Sequence, residues 1–183
     1  MKGITQMFGI NYRIIEDLDE IQTMTESEFD RYRDRIDGYF QICLGQYKEG
    51  FYSKNPICEN EVSDEMIDYW FKNLLEAIIY LSHKGECFSF KEIETPDIWI
   101  EFKRSGQRVN ICILTDEKND KTVSHTPHDN CKYVYSYTCD FEEIKREIIR
   151  AANDFIAQLS RINSILLKTK MAKRILYPLR QIQ

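Results

Sequence analysis

Glycine is scarce in this chain, and its seven residues form neither the GxGxxG turn of a dinucleotide site nor the GxxxxGK loop that cradles phosphates. Nucleotide binding through a glycine-rich loop therefore has no support. No CxxC pair exists among Cys43, Cys58, Cys87, Cys112, Cys131 and Cys139, and their irregular spacing suggests free thiols rather than a disulfide frame or a structural zinc site. No apolar run approaches the roughly eighteen residues of a membrane helix; the longest candidate, Ile67 to Leu81, is broken by Asp68, Lys72, Asn73 and Glu76. Met1 to Phe8 lacks the continuous apolar core of a secretion leader, so the chain is expected to stay in the cytosol. Acid is missing from Phe155 onward, where six basic residues stand alone.

What is present is an ordinary globular balance, with 43% apolar and 30% charged residues in 183. One α+β domain spanning 1–183 is expected, with a basic helical C-terminal segment over 163–183. Net charge is −5, but residues 1–154 hold all 30 acids and 19 of the 25 bases, which makes the body acidic and the tail basic. An acidic body disfavours nucleic acid as the main ligand, because phosphate contacts need concentrated positive charge. A basic protein is the natural complement.

Residues 4–15 are rich in β-branched and aromatic types and predict a strand. Residues 16–37 hold nine acids against Arg31, Arg33 and Arg35, with little apolar periodicity, and read as a surface loop or short exposed helix. Asp37 to Leu44 and Tyr47 to Tyr52 flank Gly45-Gln46 as a hairpin. Ser63 as N-cap and Lys84-Gly85 as terminator delimit a helix over 64–83, with Ile67, Trp70, Phe71, Leu74, Leu75, Ile78 and Leu81 on its apolar face. From Cys87 to Thr138 the period is two, giving four strands, with 97–103 and 108–114 paired across Arg104-Ser105-Gly106-Gln107. Residues 116–130 read as a long loop. Asp140 caps a second helix over 141–161, and Asn163 or Ser164 opens a third that Pro178 closes. The fold class predicted is α+β, an antiparallel sheet of about five to seven strands with two or three helices packed on one face.

The chemistry-bearing residues form no strong motif. His125, His128, Cys131 and Cys139 are the right types for zinc, but their spacing matches no signature and a polar loop is expected. The histidines His83, His125 and His128 coexist with six thiols without a nucleophile motif around any of them. No catalytic, cofactor-binding or metal-ligating residue is assigned, and no cofactor is expected. Lys168, Lys170, Lys173, Arg174 and Arg180 read as a solvated face that offsets acids elsewhere in the domain. Tyr133, Tyr135 and Tyr137 alternate on one strand face, to pack or to meet a protein.

The GYFQI strand (Gly38 to Ile42), its GFY return (Gly50 to Tyr52), the DYWFKNLLEAIIYL helix (Asp68 to Leu81), the WIEF strand (Trp99 to Phe102) and the DFEEIKREI helix start at Asp140 resemble small bacterial α+β proteins of polymorphic-toxin systems. Those are regarded as immunity proteins, and the resemblance spans most of the chain through core-forming motifs. It implies a non-enzymatic protein that neutralises a cognate toxin by direct contact, with a basic partner such as a toxin nuclease domain. The acidic segment supplies the expected contact residues, Glu16, Asp17, Asp19, Glu20, Glu26, Glu28 and Asp30, with Tyr32 and Tyr39 as aromatic anchors. The alternative is a small cytosolic enzyme, a hydrolase or transferase without a visible motif. A convergent polar pocket holding His125 or His128 against a buried thiol would favour it.

Overall fold

A computed structural model describes residues 7–15, 18–55, 65–83, 85–95, 97–117, 119–129 and 131–182. Glu16, Asp17, Cys58 and the expected cap Ser63 lie outside the described residues. The chain is α+β and antiparallel throughout, as expected, but its strands divide between two sheets of four and five rather than forming one.

The first sheet begins with β1 (Phe8–Ile14), whose buried Phe8, Ile10 and Ile14 face the core. It pairs antiparallel with β2 (Asp37–Leu44), which continues into β3 (Tyr47–Phe51). Gly45 adopts φ +64° at the first position of the two-residue turn between them, a conformation that a residue with a Cβ resists. The short β4 (Glu65–Met66) pairs with the start of β2 beyond the end of β3.

The acidic segment is more ordered than its composition suggests. It forms two short helices, α1 (Leu18–Thr23) and α2 (Glu26–Tyr32), each anchored by one buried apolar residue, Ile21 and Phe29. Thr25 starts α2 with a capping box: its hydroxyl accepts from the Glu28 N–H at 3.3 Å, while its own N–H donates to Glu28 Oε2 at 2.8 Å. Of the two sequence readings, a surface loop or a short exposed helix, the structure takes the second, and takes it twice, with a single buried apolar residue holding each helix.

The predicted central helix is α3 (Ile67–His83), with Trp70, Phe71, Leu74, Leu75, Ala77, Ile78 and Leu81 buried. It packs on β2, β5, α4 and α5, so both sheets and the C-terminal helices share one apolar core. The second sheet runs β5 (Cys87–Lys91), β6 (Ile98–Ser105), β7 (Arg108–Thr115), β8 (Val123–Ser124) and β9 (Lys132–Asp140), in the order β8-β5-β6-β7-β9. The loop predicted over 116–130 thus contains the edge strand β8. A register shift opposite Ile113 and Leu114 splits the tyrosine row. Tyr135 stacks on Tyr47 of the other sheet at 4.5 Å, whereas Tyr133 accepts a hydrogen bond from Lys103 at 2.9 Å on the opposite face.

Asp140 Oδ1 accepts from the Glu142 and Glu143 N–H groups and starts α4 (Phe141–Ile162). Asn163 then stops that helix in extended backbone and caps a 3₁₀ turn over Ser164–Lys168, while its amide donates to the carbonyls of Ile21 and Met24. The last helix, α5 (Lys170–Ile182), contains Pro178 rather than ending before it. Proline lacks one N–H, but the helix tolerates that single loss because Pro178 and Leu179 are buried against the core. No helix among the described residues is long and apolar enough to cross a membrane.

Candidate functional site

Strand alternation gives the five-stranded sheet a second face, turned away from the main core. Register places Ser89, Glu101, Cys112 and Ser136 in one row across β5, β6, β7 and β9. On the same face, Cys87, Lys103, Asn110 and Thr138 form the row to one flank of it, and Trp99 and Leu114 belong to the row on the other flank. This is the polar face the alternation predicts, but much of it is buried. Segment 116–131 returns over it and brings His128 down onto the middle row.

The His128 side chain is 1% exposed and both of its ring nitrogens are engaged. Nδ1 lies 2.7 Å from Asp116 Oδ2, Nε2 lies 3.0 Å from Ser89 Oγ, and the ring packs 4.5 Å from that of Trp99. The His128 N–H donates to Glu101 Oε2 at 3.1 Å. Glu101, fully buried, receives the Lys103 ammonium at 2.6 Å and the Cys87 thiol at 3.6 Å. Burial works against the Lys103 ammonium, yet its hydrogen bonds to Glu101 and Tyr133 outweigh that and hold its pKa above the ordinary lysine value. Burial, reinforced by Glu101, pushes the Cys87 thiol up to about 12. Burial also raises Cys112. Cys87 and Cys112 therefore stay protonated and are poor nucleophiles.

Ser89, His128 and Asp116 reproduce the order of a nucleophile, its base and the carboxylate that orients the base. Ser89 is fully buried, however, so in this conformation the three hold the 116–131 segment against the sheet and meet no substrate. Sequence reasoning singled out His128 but missed Ser89, Asp116 and Glu101. The one local signal was a serine between Phe88 and Phe90, a polar residue facing away from the core side of a strand.

The zinc candidates do not converge. His125 is exposed and packs on Tyr80 at 4.4 Å, Cys131 donates to the His128 carbonyl, and Cys139 is buried in the main core on the other face. Burial pushes the Cys139 thiol up to about 12. Among the described residues no three histidine, cysteine or carboxylate side chains form a metal-binding group.

The acidic helices present a different kind of surface. Leu18, Asp19, Glu20, Glu28 and Tyr32 are exposed there, Tyr32 at 67% with the Arg31 guanidinium 5.2 Å from its ring. Several acids also serve the fold. Asp30 Oδ1 accepts from the Lys170 N–H at the start of α5, Glu26 faces Lys173 at 3.4 Å, Asp34 meets Arg174 at 2.9 Å, and Glu20 pairs with Arg33. The basic tail thus offsets acids of the body, as its composition suggests. Tyr39 is a correction: it is 1% exposed, with its ring edge-on to Phe51 at 5.0 Å, and belongs to the packing rather than to a contact surface.

Fold and sites together define a two-sheet α+β protein with an acidic helical surface and a buried histidine hub. Comparison with family models, with curated proteins and with solved structures returns no match.

Proposed function

We propose that this chain is a non-enzymatic protein-binding protein of the immunity class, which neutralises a basic toxin domain by direct contact through α1 and α2. The observation that supports it is the exposure of Leu18 on α1 and of Tyr32 on α2, 41% and 67% accessible, on helices that also expose Asp19, Glu20 and Glu28. An apolar anchor with a charged rim is the arrangement from which binding hot spots are built, and the acids supply attraction toward a positive cleft. The test is binding of the purified chain to the toxin domain encoded beside its gene. Tight binding is expected, weakened about tenfold or more by Tyr32→Ala, since truncating a hot-spot aromatic costs about 2 kcal/mol or more. No binding, or binding indifferent to that substitution, rejects the reading.

The Ser89–His128–Asp116 arrangement favours a second reading, a serine hydrolase whose 116–131 cover must open before substrate enters. A fluorophosphonate probe distinguishes the two. Labelling at Ser89, lost in His128→Ala, supports the hydrolase; an unlabelled folded protein rejects it.

A further inference from the structure

The groove between α3 and α5 has two chemically different ends. Residues 72, 76, 79, 80 and 83 of α3 recur at three- and four-residue spacing, as do 170, 173, 174, 177, 178 and 181 of α5, so each set lies along one helix face. Toward the C-terminal ends of both helices the groove widens into a cavity of about 720 Å³, within the size range of small-molecule sites. Its wall is aromatic: Tyr80 and Phe88 pack against the His125 ring at 4.4 and 5.3 Å, and Tyr177 stands at the rim, 67% exposed. His83 and Gln181 supply polar edges there.

Toward the N-terminal ends the same groove becomes cationic. Lys72, Lys170, Lys173 and Arg174 surround a contiguous depression of about 380 Å³ that shares Glu76, Tyr177 and Pro178 with the first. Three of these cations already face a carboxylate: Lys72 lies 3.8 Å from Glu76, Lys173 3.4 Å from Glu26 and Arg174 2.9 Å from Asp34. Lys170 makes no ion pair among the described residues. A third depression on the other flank of Tyr177 adds Lys168 and Arg180. In a chain of net charge −5, this face gathers six cations around one exposed aromatic ring, against three carboxylates.

We propose that this groove binds a nucleoside phosphate. The heteroaromatic ring lies against Tyr177 and the Tyr80–Phe88–His125 wall, and the phosphate lies among Lys170 and its neighbouring cations. An apolar ligand would use the wall and leave the cations idle. A simple anion would use the cations and leave the wall idle. Stacking accepts any flat ring, and lysine holds phosphate as a point charge, so the site needs no glycine-rich loop. The inference is independent of the proposed protein partner, because it rests on a different surface and a different ligand.

Calorimetric titration of the full chain with adenosine 5′-monophosphate at low salt tests it. Saturable binding is expected, weakening as salt rises, with adenosine and inorganic phosphate each binding at least about tenfold more weakly. Tyr177→Ala is expected to weaken binding about tenfold, from lost stacking. Lys170→Gln is expected to weaken nucleotide binding and leave adenosine unaffected. Both side chains are exposed, so the melting temperature should not move. No nucleotide binding at millimolar concentration overturns the proposal. So does binding that Tyr177→Ala leaves unchanged, or capture of an acidic, tyrosine-containing peptide in preference to the nucleotide.

Discussion

Glu92 follows β5 and is only 3% exposed, with Glu49, Glu65 and Glu94 as charged neighbours. Burial, and then the repulsion of Glu49 and Glu65, pushes its carboxyl up to about 8. A carboxyl whose folded pKa is raised stabilises the protein fully below its unfolded value and loses that stability as pH rises through the folded value. Stability should therefore fall between about pH 4.5 and pH 8, with a smaller contribution over the lower part from Asp68, which burial raises to about 6. Glu92→Gln should flatten most of the decline in urea midpoints measured across that range, and an unchanged slope would reject the assignment. The buried histidine gives a second expectation. Ser89→Ala removes one hydrogen bond and should cost about 1 kcal/mol. His128→Ala removes a packed ring together with its contacts to Ser89 and Asp116, and should cost about 2–4 kcal/mol in denaturant titration. Equal costs would mean that the hub does not hold the 116–131 cover.

At the scale of elements, α3 is the centre of the molecule because it carries apolar side chains on nearly every face that meets a neighbour. Leu74 is fully buried, so Leu74→Ala should cost about 2–5 kcal/mol by chemical denaturation. A cost near zero would mean that its buried face is wrongly placed. This helix was legible in the sequence, as were β2, β3, β6, β7, β9 and α4, because each carries its own periodicity, turn or cap. The two acidic helices were legible only as one of two alternatives, a surface loop or a short exposed helix. Their stability comes from one buried residue each, from the Thr25–Glu28 capping box, and from contacts such as Asn163 to the Ile21 and Met24 carbonyls, about 140 residues away. Pro178 misled for a related reason: a proline marks a helix end only when tertiary packing does not hold the next turn in place.

At the scale of the whole molecule, charge is arranged so that the C-terminal helix covers part of the acidic body. Exposed ion pairs such as Lys173–Glu26 and Arg174–Asp34 contribute little each, about 0.2–1 kcal/mol, and mainly orient α5 on α2. Asp19 and Glu20 of α1 are exposed. Replacing Asp17, Asp19 and Glu20 with their amides should leave the melting temperature nearly unchanged. The same triple variant should slow association with a basic partner, most clearly at low salt, in stopped-flow or surface-binding kinetics. An unchanged association rate would remove the electrostatic argument for α1 and α2.

Composition and periodicity by themselves determined the α+β class, the antiparallel pairing, the central helix and the opposition of acidic body and basic tail, because these are read within a few residues or from totals. Tertiary structure alone decided that the strands form two sheets and that Tyr39 is buried. It also decided that Ser89 meets His128 across 39 positions and His128 meets Asp116 across 12, and that α3 and α5 enclose a groove. A side chain's partner across a sheet or between helices depends on how the chain returns. That return is set by the burial of apolar surface over the whole molecule, which no local pattern encodes.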